Sequence, residues 1–493
     1  MKNFRILIVS LSGVMALCAG PRAAAQPMTL DEAIGVARAQ SVPALEARAA
    51  FVSDYWAWRS YQASRLPSLA LTGNLGKFDR SLRLLQDPQT GEMLYTTNHN
   101  MTNNLGLEVR QNISFTGGSL YLRTSLERLD DFQAGKMSWY SQPLALYYHQ
   151  PLFAYNAFKW DKLISPKEYE KAKRVYLESM EDVTLNAVQR YFDVMKAQKL
   201  YEEARINFDN TTRLLTIAKE RLALGSITRD EYLHMELNML SDSLAISEND
   251  VALREARMQL NSLLGLDETR VVEPVLEEVL PAVLMDYDLV LRKASENSSF
   301  NLTNDINILN AEAAIAKAKA DRGISMELSA TFGLSKSSPE LKNVYRDPLD
   351  QEVVGLSFTV PILDWGEGKG RVKKAQAHAD VVKAQVEQAE NDKRIAIFTA
   401  VGQFNNQRQL CDVSRRAAAI ARERYGLVME RFRNGKATVQ EINDARAESD
   451  ASVQKYVGDI SSFWTNYYTL RKLTLFDFLS GNDLTVNYEE MTN

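Results

Sequence analysis

The sequence predicts a mainly α-helical chain that also carries a membrane β-barrel, arranged as two homologous halves. Three observations predict this fold class: an export signal, segments that repeat at fixed separations, and two kinds of hydrophobic periodicity. Long stretches rich in Ala, Glu, Arg and Lys have helical spacing, whereas shorter stretches alternate apolar and polar residues as strands do. The chain has 493 residues, 45% hydrophobic and 25% charged, a composition typical of folded proteins.

The N-terminus has the layout of a secretory signal peptide. Two basic residues precede the apolar stretch Ile6–Leu17, which is too short to span a bilayer. Small residues then lead up to Ala25, so we expect cleavage there and a signal peptide at 1–25. Cys18 leaves a lipoprotein signal as the alternative, although Leu17 stands where a small residue would precede a lipidated cysteine.

Charge and cysteine content exclude several function classes. The formal net charge is −5, and residues 1–25 contribute only basic charges, so the exported chain is acidic and does not favour nucleic acid. Only Cys411 remains after cleavage, which excludes an internal disulfide and a cysteine-based metal site. Because no apolar run is long enough for a transmembrane helix, we expect any entry into a membrane to use a closed β-barrel.

Two separations relate the halves to each other. Glu220–Thr228 aligns with Glu430–Thr438, and Gln150–Phe153 aligns with Val360–Leu363, both at 210 positions. Leu69–Gly76 instead aligns with a segment 257 positions later, so the first half holds 47 additional residues before Pro151. Separate motifs that share one offset indicate a duplication rather than chance similarity.

Each half is predicted to run from a helix through strands into a long helical hairpin. The first helices are expected at Thr29–Ser64 and Asp286–Arg322. The repeats are accordingly placed at 26–280 and 281–480, followed by a C-terminal tail at 481–493.

The strand regions alternate apolar and polar residues with a period of two. These regions are 69–75, 105–115, 120–126 and 144–148 in the first half, and 328–334 and 354–360 in the second. Such alternation is typical of barrel strands with one face toward lipid and the other toward a lumen, although strands of a soluble sandwich look the same locally. Aromatic residues near the strand ends suit a membrane-interface girdle, or alternatively the cap of a soluble core. They are Trp139, Tyr140, Phe153, Tyr155, Trp160 and Trp365.

Two long helices follow the strands, predicted at Lys167–Leu224 and Lys369–Asn434. The first is expected to begin with Ser165 as its cap and Pro166 in its first turn. Small apolar residues repeat at alternating spacings of three and four, which predicts a coiled-coil seam. This seam comprises Val372, Ala375, Ala379, Val382, Val386 and Ala389.

Each long helix ends in a tight hairpin tip. Gly225 and Gly435 stand where a helix needs a left-handed stop. Each glycine is followed by a capping box, Thr228 with Glu231 and Thr438 with Glu441.

The signal peptide, the duplicated element order, the corner residues Pro151 and Pro361 and the Arg-x-x-x-Gly-x-x-Thr tips resemble the TolC-type outer-membrane efflux proteins. The resemblance implies a homotrimer whose β-barrel lies in outer-membrane lipid and continues as a long coiled-coil α-barrel into the periplasm. It also implies a passive exit duct of a tripartite efflux or type I secretion system, without cofactor or enzymatic activity. Substrate would arrive from an inner-membrane transporter of RND or ABC type through a periplasmic adaptor protein.

One departure from the family concerns the strands. Family members usually supply two strands per half and close a twelve-stranded trimeric barrel. The 47 additional residues here include a further hairpin around Thr116-Gly117-Gly118. That hairpin either widens the barrel, or packs against its edge or outside it.

The resemblance also suggests site residues at the tips. Glu441 and Asp444 match the acidic positions of the family's periplasmic gate, where three subunits would form a carboxylate ring with coupled and raised titration. For Glu441 a purely capping role is the alternative. Phe432 stands where the family's latch is commonly a tyrosine, and Ala437 stands where some members have arginine, so Arg431 and Arg433 are the candidate substitutes for the latch. Adaptor contacts are expected at the tip residues Arg221, Gly225, Thr228, Arg431, Gly435 and Thr438.

Enzyme and metal sites find little support in the sequence. The four histidines lack metal-ligand spacing, and the glycine run at 366–370 lacks the spacing of a phosphate-binding loop. The competing hypothesis is a periplasmic coiled-coil scaffold or adaptor without a pore, which would share the long helices and the tips.

Overall fold

The computed structural model describes residues 26–86, 91–268, 270–276 and 279–492. The expected signal peptide and Cys18 lie outside these residues. The chain forms two compact units, and each unit takes residues from both sequence halves. The first unit contains residues 26–45, Met180–Leu284 and Gly402–Thr469, and the second contains Glu46–Ser179, Met285–Val401 and Leu470–Asn493.

The helices are α1 Leu30–Gln40, α2 Val42–Ser64, α3 Ala157–Ala223, α4 Arg229–Leu264, α5 Tyr287–Asn297, α6 Phe300–Arg322, α7 Glu367–Arg433, α8 Val439–Thr474 and α9 Glu489–Thr492. The strands are β1 Gln26–Met28, β2 Ser68–Gln86, β3 Met93–Ile113, β4 Gly118–Asp131, β5 Lys136–Leu152, β6 Val272–Pro274, β7 Ser325–Ser338, β8 Leu349–Thr359, β9 Phe476–Asp477 and β10 Asn482–Asp483. Within the described ranges, each helix is too short or too polar to cross a membrane.

The lengths of the helices confirm the predicted duplication. Helices α1 and α5 have 11 residues each, and α2 and α6 have 23 each. The long helices α3 and α7 both have 67 residues, and the returning helices α4 and α8 both have 36. The helical parts of the two halves therefore match element by element.

The prediction of one continuous first helix per half is wrong, because both helices break at a serine. The breaks fall at Ser41 and Ser298, which lie 257 positions apart, the separation that relates the upstream segments. Both serines have extended backbone, with ψ values of 150° and 160°. The hydroxyl of Ser41 accepts the Ala44 N–H at 3.2 Å, so Ser41 ends one helix and caps the next.

The predicted start of the first long helix is also wrong. Helix α3 begins at Ala157 rather than Lys167, and it includes Pro166. The side chain of Asn156 accepts the Lys159 N–H at 3.2 Å and supplies the cap that was assigned to Ser165. Pro166 removes one helical hydrogen bond, but Lys162, whose carbonyl loses its partner, is exposed to solvent.

The second unit contains a six-stranded sheet in the order β2-β3-β4-β5-β7-β8, with every neighbouring pair antiparallel. The register confirms the predicted alternation, because the apolar positions of successive strands fall in common rows. One such row is Leu69, Val109, Leu122, Leu146 and Phe332. The row on the opposite face is Ser68, Arg110, Tyr121, Tyr147 and Thr331.

The additional residues of the first half lie inside this sheet. In the second half β7 pairs directly with β8, whereas their counterparts β2 and β5 are separated by β3 and β4. The turn between β3 and β4 contains Gly117 at φ 80°, as expected for the Thr116-Gly117-Gly118 segment. The insertion therefore adds two paired strands to the sheet rather than a separate hairpin.

In the first unit, the N-terminal strand is held against α3. Strand β1 pairs in parallel with β6, with Gln26 opposite Val272. The hydroxyl of Tyr191 lies 2.9 Å from the Met28 carbonyl and 2.7 Å from the Val275 carbonyl. This buried tyrosine on α3 thus contacts both short strands.

Candidate functional site

The candidate site is the pair of hairpin tips in the first unit, where α3 turns into α4 and α7 turns into α8. Gly225 and Gly435 have φ values of 72° and 74°, the left-handed stop that the sequence predicts. Ser226 N–H donates to the Arg221 carbonyl at 2.9 Å, and Lys436 N–H donates to the Arg431 carbonyl at 2.8 Å. Both tips therefore close with the same glycine-based motif, 210 positions apart.

Both predicted capping boxes are present. Thr228 N–H donates to Glu231 Oε2 at 2.8 Å, and Glu231 N–H donates back to the threonine hydroxyl at 3.2 Å. In the second tip, Thr438 N–H donates to Glu441 Oε2 at 2.7 Å, and Glu441 N–H donates back at 3.2 Å. Each return helix thus begins with its first backbone donors satisfied by side chains.

Glu441 is held by contacts within its own hairpin. The backbone N–H of Thr438 donates to the carboxylate and holds the pKa of Glu441 below its usual range. The Thr438 hydroxyl and the Arg431 guanidinium, 3.5 Å away, favour the charged form as well. Within one protomer these contacts favour the charged form of Glu441 in its capping role, and the raised titration of a carboxylate ring formed by three subunits stays a prediction.

Asp444 lies one turn further along α8 and is exposed. Its Oδ1 accepts a hydrogen bond from the side chain of Gln440 at 2.8 Å. Unlike Glu441, this carboxylate is free of any capping role at the helix start. Of the two predicted gate acids, Asp444 is the one that presents an exposed charge at the side of the tip.

Phe432 packs inside the protomer, between its two hairpins, and its role as a latch stays a prediction. Its side chain is only 1% exposed and belongs to an apolar cluster that we call the tip core. The tip core draws on all four hairpin helices and comprises Leu214, Ala218, Met235, Tyr425, Val428, Phe432, Val439, Ile442 and Ala445. A large aromatic ring is buried here because the two hairpins of one chain pack against each other.

Arg221 is the residue that reaches across this packing. Its guanidinium carbon lies 5.3 Å from the Phe432 ring centroid, and its Nη1 donates to the Phe432 carbonyl at 3.3 Å. The same guanidinium borders Gly435, where an added Cβ would meet Nη2 at 3.4 Å. The first tip therefore holds the second through Arg221, although the sequence indicated only an adaptor contact for this residue.

A ladder of polar contacts joins the two hairpins beyond the tip core, and sequence reasoning missed it. The side-chain amide of Asn238 on α4 donates to the side chain of Asn443 on α8 at 3.0 Å. One turn further, Arg446 binds Asp242 through two hydrogen bonds of 2.5 and 3.1 Å, and Asp242 is only 2% exposed. Polar residues within a helix–helix seam fix its register. In the sequence, the signal for this ladder is the helical spacing of Asn238 and Asp242 and of Asn443 and Arg446.

The ladder continues to two half-buried carboxyls, Asp450 and Glu203. Asn207 on α3 donates to Asp450 at 3.0 Å, and burial raises the pKa of Asp450. Burial, and then the nearby Asp450 charge, raise the pKa of Glu203 to about 7. Arg422 acts in the opposite direction on Glu203. Partial burial between the hairpins therefore disfavours the charged form of both carboxyls.

The predicted interface aromatics lie in the second unit, most of them near the two ends of strand β5. Trp139 and Tyr140 lie near the start of β5, where the Arg128 guanidinium carbon lies 5.7 Å from the centroid of the Trp139 ring. Phe153 and Tyr155 follow the other end of β5, and Trp160 lies in the first turn of α3. Trp365, just before α7, is 90% exposed.

Within the part of the chain that the structure describes, few side chains are arranged to bind a metal. Across the described residues, no three His, Cys, Asp or Glu side chains come close enough to hold a metal ion. Cys411 is buried with a free thiol. His149 Nε2 on β5 lies 2.7 Å from Glu327 Oε1 on β7, diagonally across the paired strands.

The comparisons with known proteins agree with this architecture. Residues 302–474 match the family described as "Outer membrane efflux protein". No curated protein matches the chain significantly. The matched family is a transport class rather than an enzyme class.

Three solved structures share the fold over nearly the whole chain. The CmeC outer membrane channel of Campylobacter jejuni is 15% identical, with a TM-score of 0.64 and coverage of 94% of this chain and 88% of that one. The outer membrane protein VceC of Vibrio cholerae is 13% identical, with a TM-score of 0.62 and coverage of 92% and 97%. A membrane protein from Pseudomonas aeruginosa is 16% identical, with a TM-score of 0.63 and coverage of 90% of both chains. The resemblance predicted from the sequence is therefore confirmed.

Proposed function

We propose that this chain, whose second half carries the outer membrane efflux signature and whose fold is that of TolC-type channels, forms an outer-membrane efflux duct. The observation that carries the proposal is the combination of that signature with a two-faced sheet and a pair of closed hairpin tips. We infer passive export, because the features that the tips display are an apolar core and polar contacts between hairpins.

The two-faced sheet supports placement of the second unit in the outer membrane. Three copies join edge to edge, with the Leu69 face toward lipid and the Ser68 face toward the lumen. Trp139 and Phe153 are separated by ~46 Å of extended strand, which is ~35 Å along the axis at a tilt of ~40°. This separation suits aromatic belts at the two surfaces of a bilayer.

The hairpin tips are the proposed periplasmic gate and adaptor-binding end. The second hairpin is free to move away from the first only if Arg446 leaves Asp242 and Arg221 leaves the Phe432 carbonyl. An adaptor that binds the tip residues Arg221, Gly225, Thr228, Arg431, Gly435 and Thr438 competes with these ties. The duct then receives substrate from an RND or ABC transporter in a tripartite efflux or type I secretion system.

Fractionation and bilayer recording test the duct. We expect heat-modifiable trimers in the outer-membrane fraction and a small, mostly closed conductance in planar bilayers. Arg446→Gln should raise the conductance several-fold because it releases the second hairpin. Arg254→Gln is the matched control, since Arg254 pairs with Asp250 on the surface of one helix at 2.5 Å. A water-soluble, non-conducting monomer would instead support the periplasmic scaffold.

The acidic residues of the second tip need a separate recording. Asp444→Asn should weaken cation selectivity, because Asp444 carries the exposed charge. Glu441→Gln should act mainly through the lost cap at Thr438. Unchanged selectivity in Asp444→Asn would remove this residue from the gate.

A further inference from the structure

We propose that the outer-membrane end of this duct is an eighteen-stranded barrel, wider than the twelve-stranded barrel that the family resemblance implies. The inference rests on the proposed trimeric duct and concerns its width. Six strands per chain, all in one sheet, supply the number. The additional strands are β3 and β4, which have no counterpart between β7 and β8.

The inserted strands are integral to the sheet. Strand β3 pairs with β4 without interruption from Asn100 opposite Asp131 to Ile113 opposite Gly118. On its other side β3 pairs with β2 from Ser68 opposite Arg110 to Gln86 opposite Met93. Strand β4 then pairs with β5. In this sheet β2 is therefore connected to β5 only through β3 and β4.

The inserted strands also have the two faces that a barrel wall requires. Val109 and Leu122 continue the apolar row, whereas Glu108, Arg110 and Arg123 occupy the polar face. A hairpin packed outside the barrel would turn one of these faces to the wrong medium. If its polar face met lipid, three charged side chains would enter hydrocarbon, which is strongly unfavourable.

The two edges of the sheet fit each other across copies. Strands β2 and β8 are the edges, and within the described residues each has one strand partner. Because the sheet has an even number of alternating strands, β8 of one copy and β2 of the next run antiparallel, as they do in outer-membrane barrels. Each edge presents backbone N–H and C=O groups for which a bilayer offers no partner, so a second copy is the occupant that closes them.

The added strands change the dimensions of the pore. With a strand spacing of ~4.8 Å and a tilt of ~40°, the backbone radius is ~12 Å for twelve strands and ~18 Å for eighteen. The lumen side of β3 and β4 carries both signs of charge, Glu108 and Glu127 with Arg110 and Arg123. The outer end therefore accommodates bulky polar solutes without selecting the sign of their charge.

Cysteine cross-linking of the full-length protein tests the closure in a Cys411→Ala background. Cysteines at Ser68, Ala70 or Thr72 on β2, combined with cysteines at Gly355 or Ser357 on β8, should give disulfide-linked dimers and trimers. Ser329→Cys with Gly355→Cys is the control, since these residues are opposed on neighbouring strands of one chain and should cross-link within it. Cross-links from Ser119 or Arg123 on β4 to β8 of another copy would overturn the inference, because β4 would then be the barrel edge.

The strand number in a three-fold averaged density map of the detergent-purified trimer decides the same point independently. Eighteen strands confirm the inference, and twelve strands overturn it while leaving the duct intact. A protein that forms no outer-membrane trimer would instead overturn the proposed function.

Discussion

The two hairpin tips share one motif and serve different purposes. Arg221 and Arg431 occupy equivalent places, yet Arg221 reaches the Phe432 carbonyl of the other hairpin, whereas Arg431 donates to Lys436 within its own loop at 3.0 Å. Leu222 is half-buried, and its counterpart Phe432 fills the tip core. The two tips therefore share one backbone motif but differ in their side chains. The first tip supplies Arg221, which binds the other hairpin, and the second supplies Phe432, which fills the tip core.

The sheet shows the opposite kind of divergence. All four pairs of helices have equal lengths, but the first half contributes four strands and the second contributes two. The helical elements therefore kept their lengths in both halves, whereas the sheet of the first half gained one whole hairpin. An inserted hairpin is compatible with this sheet because its strands continue both the apolar face and the polar face.

The largest expected difference between the tips comes from their aromatic and aliphatic counterparts. Phe432→Ala should destabilise the fold by about 3–5 kcal/mol, because it opens a cavity in the tip core. Leu222→Ala, the equivalent change in the first tip, should cost about 1 kcal/mol since that side chain is only half-buried. Chemical denaturation in detergent measures the free energy of unfolding of both variants. Equal losses of stability would contradict the assignment of the tip core to Phe432 rather than to Leu222.

The next effect concerns the polar ladder. Arg446→Met should destabilise the fold by about 2–4 kcal/mol, because Asp242 is left buried without its cation. Arg254→Met removes an ion pair on the surface of α4 and should cost less than about 0.5 kcal/mol. The same denaturation series compares them, and a small loss in Arg446→Met would show that water replaces the arginine.

A smaller effect should separate the equivalent arginines. Arg221→Met should cost about 1 kcal/mol, because one hydrogen bond and one cation–aromatic contact between hairpins are lost. It should also raise the bilayer conductance, whereas Arg431→Met should leave the conductance close to wild type. If both variants conduct equally, Arg221 does not tie the tips together.

A further effect depends on pH. The pKa of Glu203 is about 7 in the folded chain and near its ordinary value when unfolded, so the folded state binds more protons between pH 4.5 and 7. Stability should therefore fall as the pH rises through this window. Glu203→Gln should flatten the decline, whereas Glu202→Gln, one residue away, should not. An unchanged pH profile in Glu203→Gln would exclude this carboxyl as the cause.

Much of the site was predictable because it depends on local rules. The left-handed glycines and capping boxes follow from residue types at short spacing, and they lie where the sequence placed them. The positions of Phe432 and Arg221 were not predictable, since their neighbours come from a segment about 210 positions away. The helix breaks at Ser41 and Ser298 were missed because a serine within a helical pattern does not by itself end a helix.

The sequence by itself determined the duplication, the alternation of the strands, the long helices and the chemistry of their tips. Each of these depends on periodicity or on contacts within a few residues, which a single chain displays directly. Tertiary structure alone decided that the inserted hairpin joins the sheet, that Phe432 is buried and that Asp242 meets Arg446. Those outcomes depend on which distant surfaces meet, and burial then sets the roles of residues whose types left several possibilities open.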